Sequence, residues 1–120
     1  MPFPYPVFLD LTGVRVLLVG GGAVACRKAG SLADAGAMIT VVAPAVLAEL
    51  EAMAADVHRR PYVAGEVAAY QLVITATDDV AVNAQVAADA RAAGVWVNSA
   101  DDPSNCTFIL PAVARRGLVT

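Results

Sequence analysis

The sequence predicts a three-layer α/β domain built on a doubly wound parallel sheet, and three observations carry that expectation. Short, β-branched and almost uninterrupted apolar runs, Val14–Val19 and Gln71–Ala76 among them, have the make-up of strands covered on both faces. Stretches of helical length separate these runs, as crossovers between parallel strands require. A chain of 120 residues that is 58% hydrophobic and 16% charged can bury one sizeable core and is too apolar for disorder, so residues 1–120 read as one domain.

Taken in order, Pro2, Pro4 and Pro6 keep the first residues out of helix, and Val7-Phe8-Leu9 with Asp10-Leu11-Thr12-Gly13 read as an extended lead-in and a turn. Val14–Val19 is the first strand. It breaks into Gly20-Gly21-Gly22 and then into small, helix-compatible residues. Gly20-x-Gly22-x-x-Ala25 is the G-x-G-x-x-G/A pattern between a strand and a helix, the context in which it binds a dinucleotide. Each small residue has a mechanical reason: Gly20 for the tight turn, Gly22 for close approach of a diphosphate, and Ala25 for packing of helix on strand. The amides and positive dipole end of the new helix, at Gly20, Gly21, Gly22, Ala23 and Val24, then form an anion site. The competing reading of the three glycines is an ordinary strand-to-helix turn.

From about Ala23 to Ala35, Ala25, Ala29, Leu32 and Ala33 share one helical face, and Gly36 stops the helix. Ala37–Ala43 is the second strand, closed by Pro44. A simple NAD-binding unit would carry a carboxylate near its end, but Val41-Val42-Ala43-Pro44 carries none, and no arginine follows. Ala43 thus occupies the ribose position without discriminating NAD from NADP.

Val46–Met53 is a short helix, and Val57–Tyr62 a third strand whose His58, Arg59, Arg60 and Pro61 suit a sheet edge. His58, the only histidine, reads there as a solvated surface group. Gln71–Ala76 is another buried strand. Asp78 or Asp79 caps the helix that runs from about Val80 to Ala92, while Thr77 sits at the strand's carboxyl end, where the strand order reverses and ligands collect. Gly94 ends that helix, Val95–Asn98 is a fifth strand, and residues 99–105 are a polar loop. Thr107–Leu110 and Gly117–Thr120 are extended, a C-terminal hairpin or strand pair. The expected strand order is 3-2-1-4-5, a Rossmann-like arrangement that brings Gly20–Gly22, Thr77 and Asn98–Asp102 to one rim.

The net charge of −3 offers no basic surplus for nucleic acid. No apolar run has membrane-spanning length, and the proline-rich start lacks the features of a signal peptide, so the expectation is a cytoplasmic protein. Cys26 and Cys106 form neither a C-x-x-C pair nor a cluster with His58, which argues for two reduced thiols and against a protein-bound metal.

Gly20–Lys28, Ala76-Thr77-Asp78-Asp79 with Asn83, Val97-Asn98-Ser99-Ala100-Asp101-Asp102-Pro103, and Phe108-Ile109-Leu110-Pro111-Ala112 with Arg115-Arg116-Gly117 together resemble the precorrin-2 dehydrogenase family, which also forms the N-terminal module of siroheme synthases. The resemblance covers nearly the whole chain in order. It implies NAD-dependent oxidation of precorrin-2 to sirohydrochlorin, toward siroheme or cobalamin. Some relatives also insert iron or cobalt, so Fe²⁺ or Co²⁺ enters as a chelation substrate.

By position, Asp101 resembles the family's essential carboxylate, Gly22, Ala23 and Val24 its diphosphate turn, and Thr77 and Asp78 the segment along the cofactor. Removing a hydride and a proton from a reduced tetrapyrrole needs a hydride acceptor and a nearby base, and a carboxylate with an ordinary pKa of about 4 is a weak base unless its surroundings raise it. Asp102 competes for the role, although Asp102-Pro103 also reads as a turn. Arg27 and Lys28, Asn98, and Arg115 and Arg116 are the candidate substrate contacts. The basic residues are also explained as solvated surface, as partners of the cofactor diphosphate or, for Arg115 and Arg116, as a docking point for a second subunit.

Relatives continue past the Gly-Leu-Val segment into a helical region that completes a homodimer and covers the substrate, whereas this sequence stops at Thr120. That region is therefore expected downstream of residues 1–120. From another functional class, a non-catalytic nucleotide-sensing domain shares the glycine turn. It ordinarily keeps an acid at the end of the second strand and has no use for the Asn98–Asp101 loop.

Overall fold

The computed structural model describes residues 5, 7–99 and 106–108. Within them run β1 (Arg15–Val19), α1 (Ala23–Asp34), β2 (Met38–Val42), α2 (Ala48–Met53), β3 (Asp56–His58), a 3₁₀ turn at Glu66–Ala69, β4 (Leu72–Thr75), α3 (Val80–Ala93) and β5 (Trp96–Ser99). The strands form one sheet in the order β3-β2-β1-β4-β5, and every pair is parallel. Reversal of the winding on either side of β1 puts helices on both faces, as the alternation of strands and helices predicts.

The two faces explain why the strands are apolar throughout. Val16 and Leu18 of β1, Ile39 and Val41 of β2, and Leu72 and Ile74 of β4 pack with Ala25, Ala29 and Leu32 of α1 and Leu50 of α2. Leu17 and Val19, with Val42, Val73 and Val97, point the other way, toward Val67 of the 3₁₀ turn and Val86, Ala87 and Ala90 of α3. Small residues on α1 and α3 let the helices sit close to the sheet. Truncating a fully buried Leu17 or Leu18 to Ala leaves a void, at a cost of about 2–5 kcal/mol.

Several expected boundaries move, each for a local reason. The helix expected from Val46 begins at Ala48, because the Leu47 N–H donates to the Gly21 carbonyl (3.0 Å) instead of entering the helix. The third strand is only Asp56–His58, since the Arg60 N–H turns back to the His58 carbonyl (3.0 Å) and Pro61 has no N–H with which to continue a ladder. At the end of α3, Gly94 is left-handed (φ +73°) and the Val95 N–H closes on the Ala90 carbonyl (2.8 Å), a glycine stop. Of the expected C-terminal extended segments, only Thr107 and Phe108 are described: the Thr107 N–H donates to the Val97 carbonyl (2.8 Å), and Phe108 packs on the α1 side of the core. Ile109, Leu110 and Gly117–Thr120 lie outside the described residues.

His58 is not a free surface group. Arg60 can only donate, so the Arg60 Nη2 contact (3.1 Å) makes His58 Nδ1 an acceptor and leaves the proton on Nε2, which faces Asp56 Oδ2 at 2.8 Å. That hydrogen bond from His58 holds the Asp56 carboxyl below its usual range. Arg60 also forks onto both carboxylate oxygens of Glu66 (2.9 and 2.9 Å). Farther along, the Tyr62 hydroxyl donates to Asp89 Oδ2 (2.7 Å), which also accepts from the Gly65 N–H (3.0 Å), tying the β3–β4 connection to α3. Burial and this acceptor together raise the Tyr62 hydroxyl's pKa.

Two predictions follow from these contacts. A Cβ on Gly21 would lie 1.8 Å from the Ala45 carbonyl oxygen, so Gly21→Ala must push two loops apart, and chemical denaturation should show a loss of about 1–3 kcal/mol. Burial raises the Glu66 carboxyl's pKa, but the Arg60 fork and the Val63 N–H outweigh it and hold the group below its usual range. A carboxyl depressed in the folded state stabilises fully above its unfolded pKa, and the effect fades as pH falls through the folded value. Glu66→Gln should therefore lose about 1–2 kcal/mol at pH 7, with the gap from the unaltered chain narrowing below about pH 4 in urea melts.

Candidate functional site

Parallel strands send all five carboxyl ends to one rim, and β1, where the winding reverses, lies at its centre. Gly20 leaves β1 with φ +140°, a conformation L side chains rarely adopt, and a Cβ there would stand 2.6 Å from the Ala76 carbonyl oxygen. Its N–H donates to the Val42 carbonyl (3.1 Å), while Ala76 N–H donates to the Val19 carbonyl (2.8 Å), so the ends of β2, β1 and β4 are tied together. Gly21 meets the backbone after β2, at Ala45. Gly22 differs from both. It is exposed and extended (φ −100°), and among the described residues nothing lies within 4 Å of where its Cβ would be.

The space beside Gly22 faces the start of α1. Gly22 is the N-cap of that helix, no side chain caps it, and its first turn holds no acidic residue. Its leading amides are therefore available to an outside acceptor, and an anion would be drawn by the dipole. Ala23 and Val24 are exposed there, and Ala25 is fully buried against the sheet. An open backbone face that a side chain would cover, beside uncapped amides, fits a diphosphate. Of the three glycines, Gly20 and Gly21 are fixed by loop contacts and Gly22 alone by open space. The sequence pattern supplied no reason for Gly21; the contact with Ala45 is long-range and has no local signature.

At the end of β4 the choice between Asp78 and Asp79 is resolved. Asp79 caps α3, its Oδ1 accepting from the N–H groups of Ala81 (3.0 Å) and Val82 (3.3 Å). Asp78 is left exposed at the rim. The Thr77 hydroxyl donates to Asn83 Oδ1 (2.6 Å) and accepts from the Asp79 N–H (3.1 Å), and Asn83 Nδ2 donates to the Thr77 carbonyl (3.1 Å). The side chain of Thr77 thus fixes the turn. Asn83, 1% exposed, is its buried anchor. An asparagine four residues past a helix cap was the available signal for that role.

At the end of β5, Thr75 donates to Ser99 (3.0 Å) across the sheet, both residues being buried. Asn98 is buried too, and its Nδ2 donates to the Phe108 carbonyl (3.0 Å) and toward Cys106 Sγ (3.7 Å). The Ser99 N–H donates to the same sulfur (3.2 Å), so the chain leaves β5 at Ser99 and is back at its edge at Cys106. Asn98 and Cys106 therefore anchor the chain on either side of residues 100–105. Asp101 falls among these, and with Arg115 and Arg116 it lies outside the described residues. On α1, Arg27 is exposed, two positions from buried Ala25 and so turned from the core, while Lys28 is half-buried on the helix flank.

At the end of β2, Ala43 is 7% exposed and its N–H donates to the His58 carbonyl (3.2 Å). The rim thus collects the candidate residues Gly20–Val24, Ala43, Thr77 and Asp78 around the end of β1, with Asn98 and Ser99 at the end of β5.

A family model described as "Putative NAD(P)-binding" matches residues 7–112. Siroheme synthases from two strains of Pseudomonas putida are 50% and 51% identical to the chain over 115 residues, covering 92% of it and 25% of each relative. The siroheme synthase of Tolumonas auensis is 48% identical over 113 residues, again 92% of this chain and 24% of the relative. The chain thus spans about a quarter of the length of these relatives. A solved structure of SirC, precorrin-2 dehydrogenase, superimposes with a TM-score of 0.79 at 33% identity, over 97% of this chain and 59% of that one. The rim described above is therefore that of a nicotinamide-dinucleotide fold, and the chain belongs to the NAD(P)-binding family of precorrin-2 dehydrogenases and siroheme synthase N-terminal domains.

Proposed function

We propose that this chain binds NAD at the carboxyl rim and serves the dehydrogenation of precorrin-2 to sirohydrochlorin in siroheme or cobalamin synthesis. One observation carries the reading most directly: the open face of Gly22 beside the uncapped amides of α1, at the point where the strand order reverses. The identities to siroheme synthases support the substrate class. Bound NAD would supply the hydride acceptor. Gly20, Gly21, Gly22, Ala23 and Val24 hold the diphosphate, Ala43 lies along the ribose, and the turn of Thr77 and Asp78 lies along the remainder of the cofactor.

The chain's own part in the chemistry is to position and to take a proton. Asp101 receives the proton released as the tetrapyrrole loses hydride, which requires the carboxylate to be ionised before the step and to stand within hydrogen-bond reach of the carbon acid or a relaying water. Asn98 serves from behind, as a tether for the chain that follows β5, instead of touching substrate with an amide already turned to Phe108 and Cys106. Arg27, Lys28, Arg115 and Arg116 provide cations for the carboxylates of the tetrapyrrole. The protein works as a soluble cytoplasmic homodimer.

Two variants test the two halves of the proposal. Gly22→Ala places a methyl group where no atom of the described residues stands and should leave stability within about 1 kcal/mol, yet weaken NAD binding by roughly tenfold or more in a calorimetric titration. Unchanged NAD affinity in that variant would remove the diphosphate from this turn. Asp101→Asn, assayed anaerobically with precorrin-2 and NAD in the full-length protein, should lower kcat by about 100-fold or more while NAD still binds. Turnover at the normal rate would take the base away from Asp101.

A further inference from the structure

The end of β2 is where a fold of this kind distinguishes a ribose with free hydroxyls from one that carries a 2′-phosphate: a carboxylate serves the first and an arginine the second. Val41-Val42-Ala43-Pro44 contains neither. The neighbouring strand and α2 between them bring up one of each. Val42 pairs with His58, and the Ala43 N–H donates to the His58 carbonyl (3.2 Å), so Arg59 follows directly beside Ala43 on the outer edge of the rim.

Arg59 does not stand there alone. Its Nη2 lies 2.9 Å from Oε1 of Glu51, on α2, the helix entered by the loop that leaves Ala43, and the two side chains are 48% and 51% exposed. The next residue, Arg60, is closed to a ligand in a different way, because its guanidinium forks onto the largely buried Glu66 and also meets His58. Along residues 48–66 the other charged groups are Glu49, exposed on the first turn of α2, and Asp56, paired with His58. Four carboxylates (Glu49, Glu51, Asp56 and Glu66) therefore stand against two guanidinium groups (Arg59 and Arg60).

We propose that Glu51 is a specificity-determining residue: by occupying Arg59, the residue beside Ala43, and adding its own negative charge next to that guanidinium, it sets the rim to accept the free ribose of NAD and to reject the 2′-phosphate of NADP. The inference rests on the reading of the rim as a dinucleotide site. A phosphate dianion arriving beside Ala43 would have to draw Arg59 away and then lie next to the carboxylate left behind, whereas a neutral ribose disturbs neither partner. Exposed pairs of this kind are weakly held, so Arg59 is restrained by its partner's charge and not locked by packing. Removing that charge should release a phosphate-binding arginine without repacking the core.

The test is a calorimetric titration of the full chain with NAD and with NADP at low ionic strength. Glu51→Gln, which keeps the size of the side chain, should raise the affinity for NADP relative to NAD by about three- to tenfold, with the gain shrinking at high salt. Adding Arg59→Ala to that variant should abolish the gain. An unchanged NADP to NAD ratio in Glu51→Gln, or a gain that survives Arg59→Ala, overturns the role given to Glu51 while NAD binding by the unaltered chain still upholds the rim. If the unaltered chain binds neither dinucleotide, the reading of the rim fails and takes this inference with it.

Discussion

The close approach of backbone to backbone at Gly20 and Gly21 is the contact on which the rest of this rim depends. One turn meets the strand end at Ala76 on one side and the loop at Ala45 on the other, at distances that leave no room for even a single carbon. Because both contacts are made by main chain, the start of α1 is fixed relative to β2 and β4 together, and the amides of the helix are held at the centre of the sheet. Leu47, through its bond to the Gly21 carbonyl, even sets where α2 begins and hence where Glu51 stands.

Most of the fold was legible in the sequence because a sheet covered on both faces leaves its mark residue by residue. The runs containing Val16–Val19 and Leu72–Ile74 could be assigned without tertiary information, and the glycine turn fixed the first crossover. What escaped was the product of contacts between distant segments. Nothing near Val57–Tyr62 announces that Arg60 turns back on His58 and forks onto Glu66, so local sequence implies a longer third strand and a freer histidine than the fold contains. Likewise, the Asn98 side chain belongs to the chain around Cys106 and Phe108, a pairing that follows only from where the chain returns to the edge of β5. The site was legible at its centre, where Gly22 and the helix start are adjacent in sequence, and illegible at its edges. There Arg59 reaches Ala43 only through strand register.

Buried polar residues mark the two halves of the rim differently. On the β4 and β5 side, Asn83, Thr75, Ser99 and Asn98 are all buried, and each has a hydrogen-bond partner. Buried polar groups left unpaired are costly, so an interlocked set of this kind favours one geometry over its neighbours. Hydride transfer is sensitive to distance, and the half proposed to serve the redox end is the half built from such locked pairs. On the β2 and β3 side the pair nearest Ala43, Arg59 with Glu51, is an exposed ion pair, which tolerates rearrangement and acts through charge more than through position.

That division matches the dimensions of the ligand. Five strands spaced by roughly 4.8 Å make a rim about 19 Å across, wide enough for a dinucleotide laid over it with its diphosphate at β1 and one nucleoside to either side. A nucleoside bound over β2 and β3, as proposed, would need only to be recognised, and long-range charge is adequate for discriminating a phosphate from a hydroxyl. In the proposed binding mode a nicotinamide over β4 and β5 would have to be held against a second molecule within contact distance, for which fixed hydrogen-bonded backbone is the better material. An edge strand as short as Asp56–His58 is therefore no weakness of the sheet. It ends early enough for Arg59 to leave the ladder and meet Glu51 at the exposed edge, and for Arg60 to turn back onto Glu66, where a longer β3 would have used the same residues as strand.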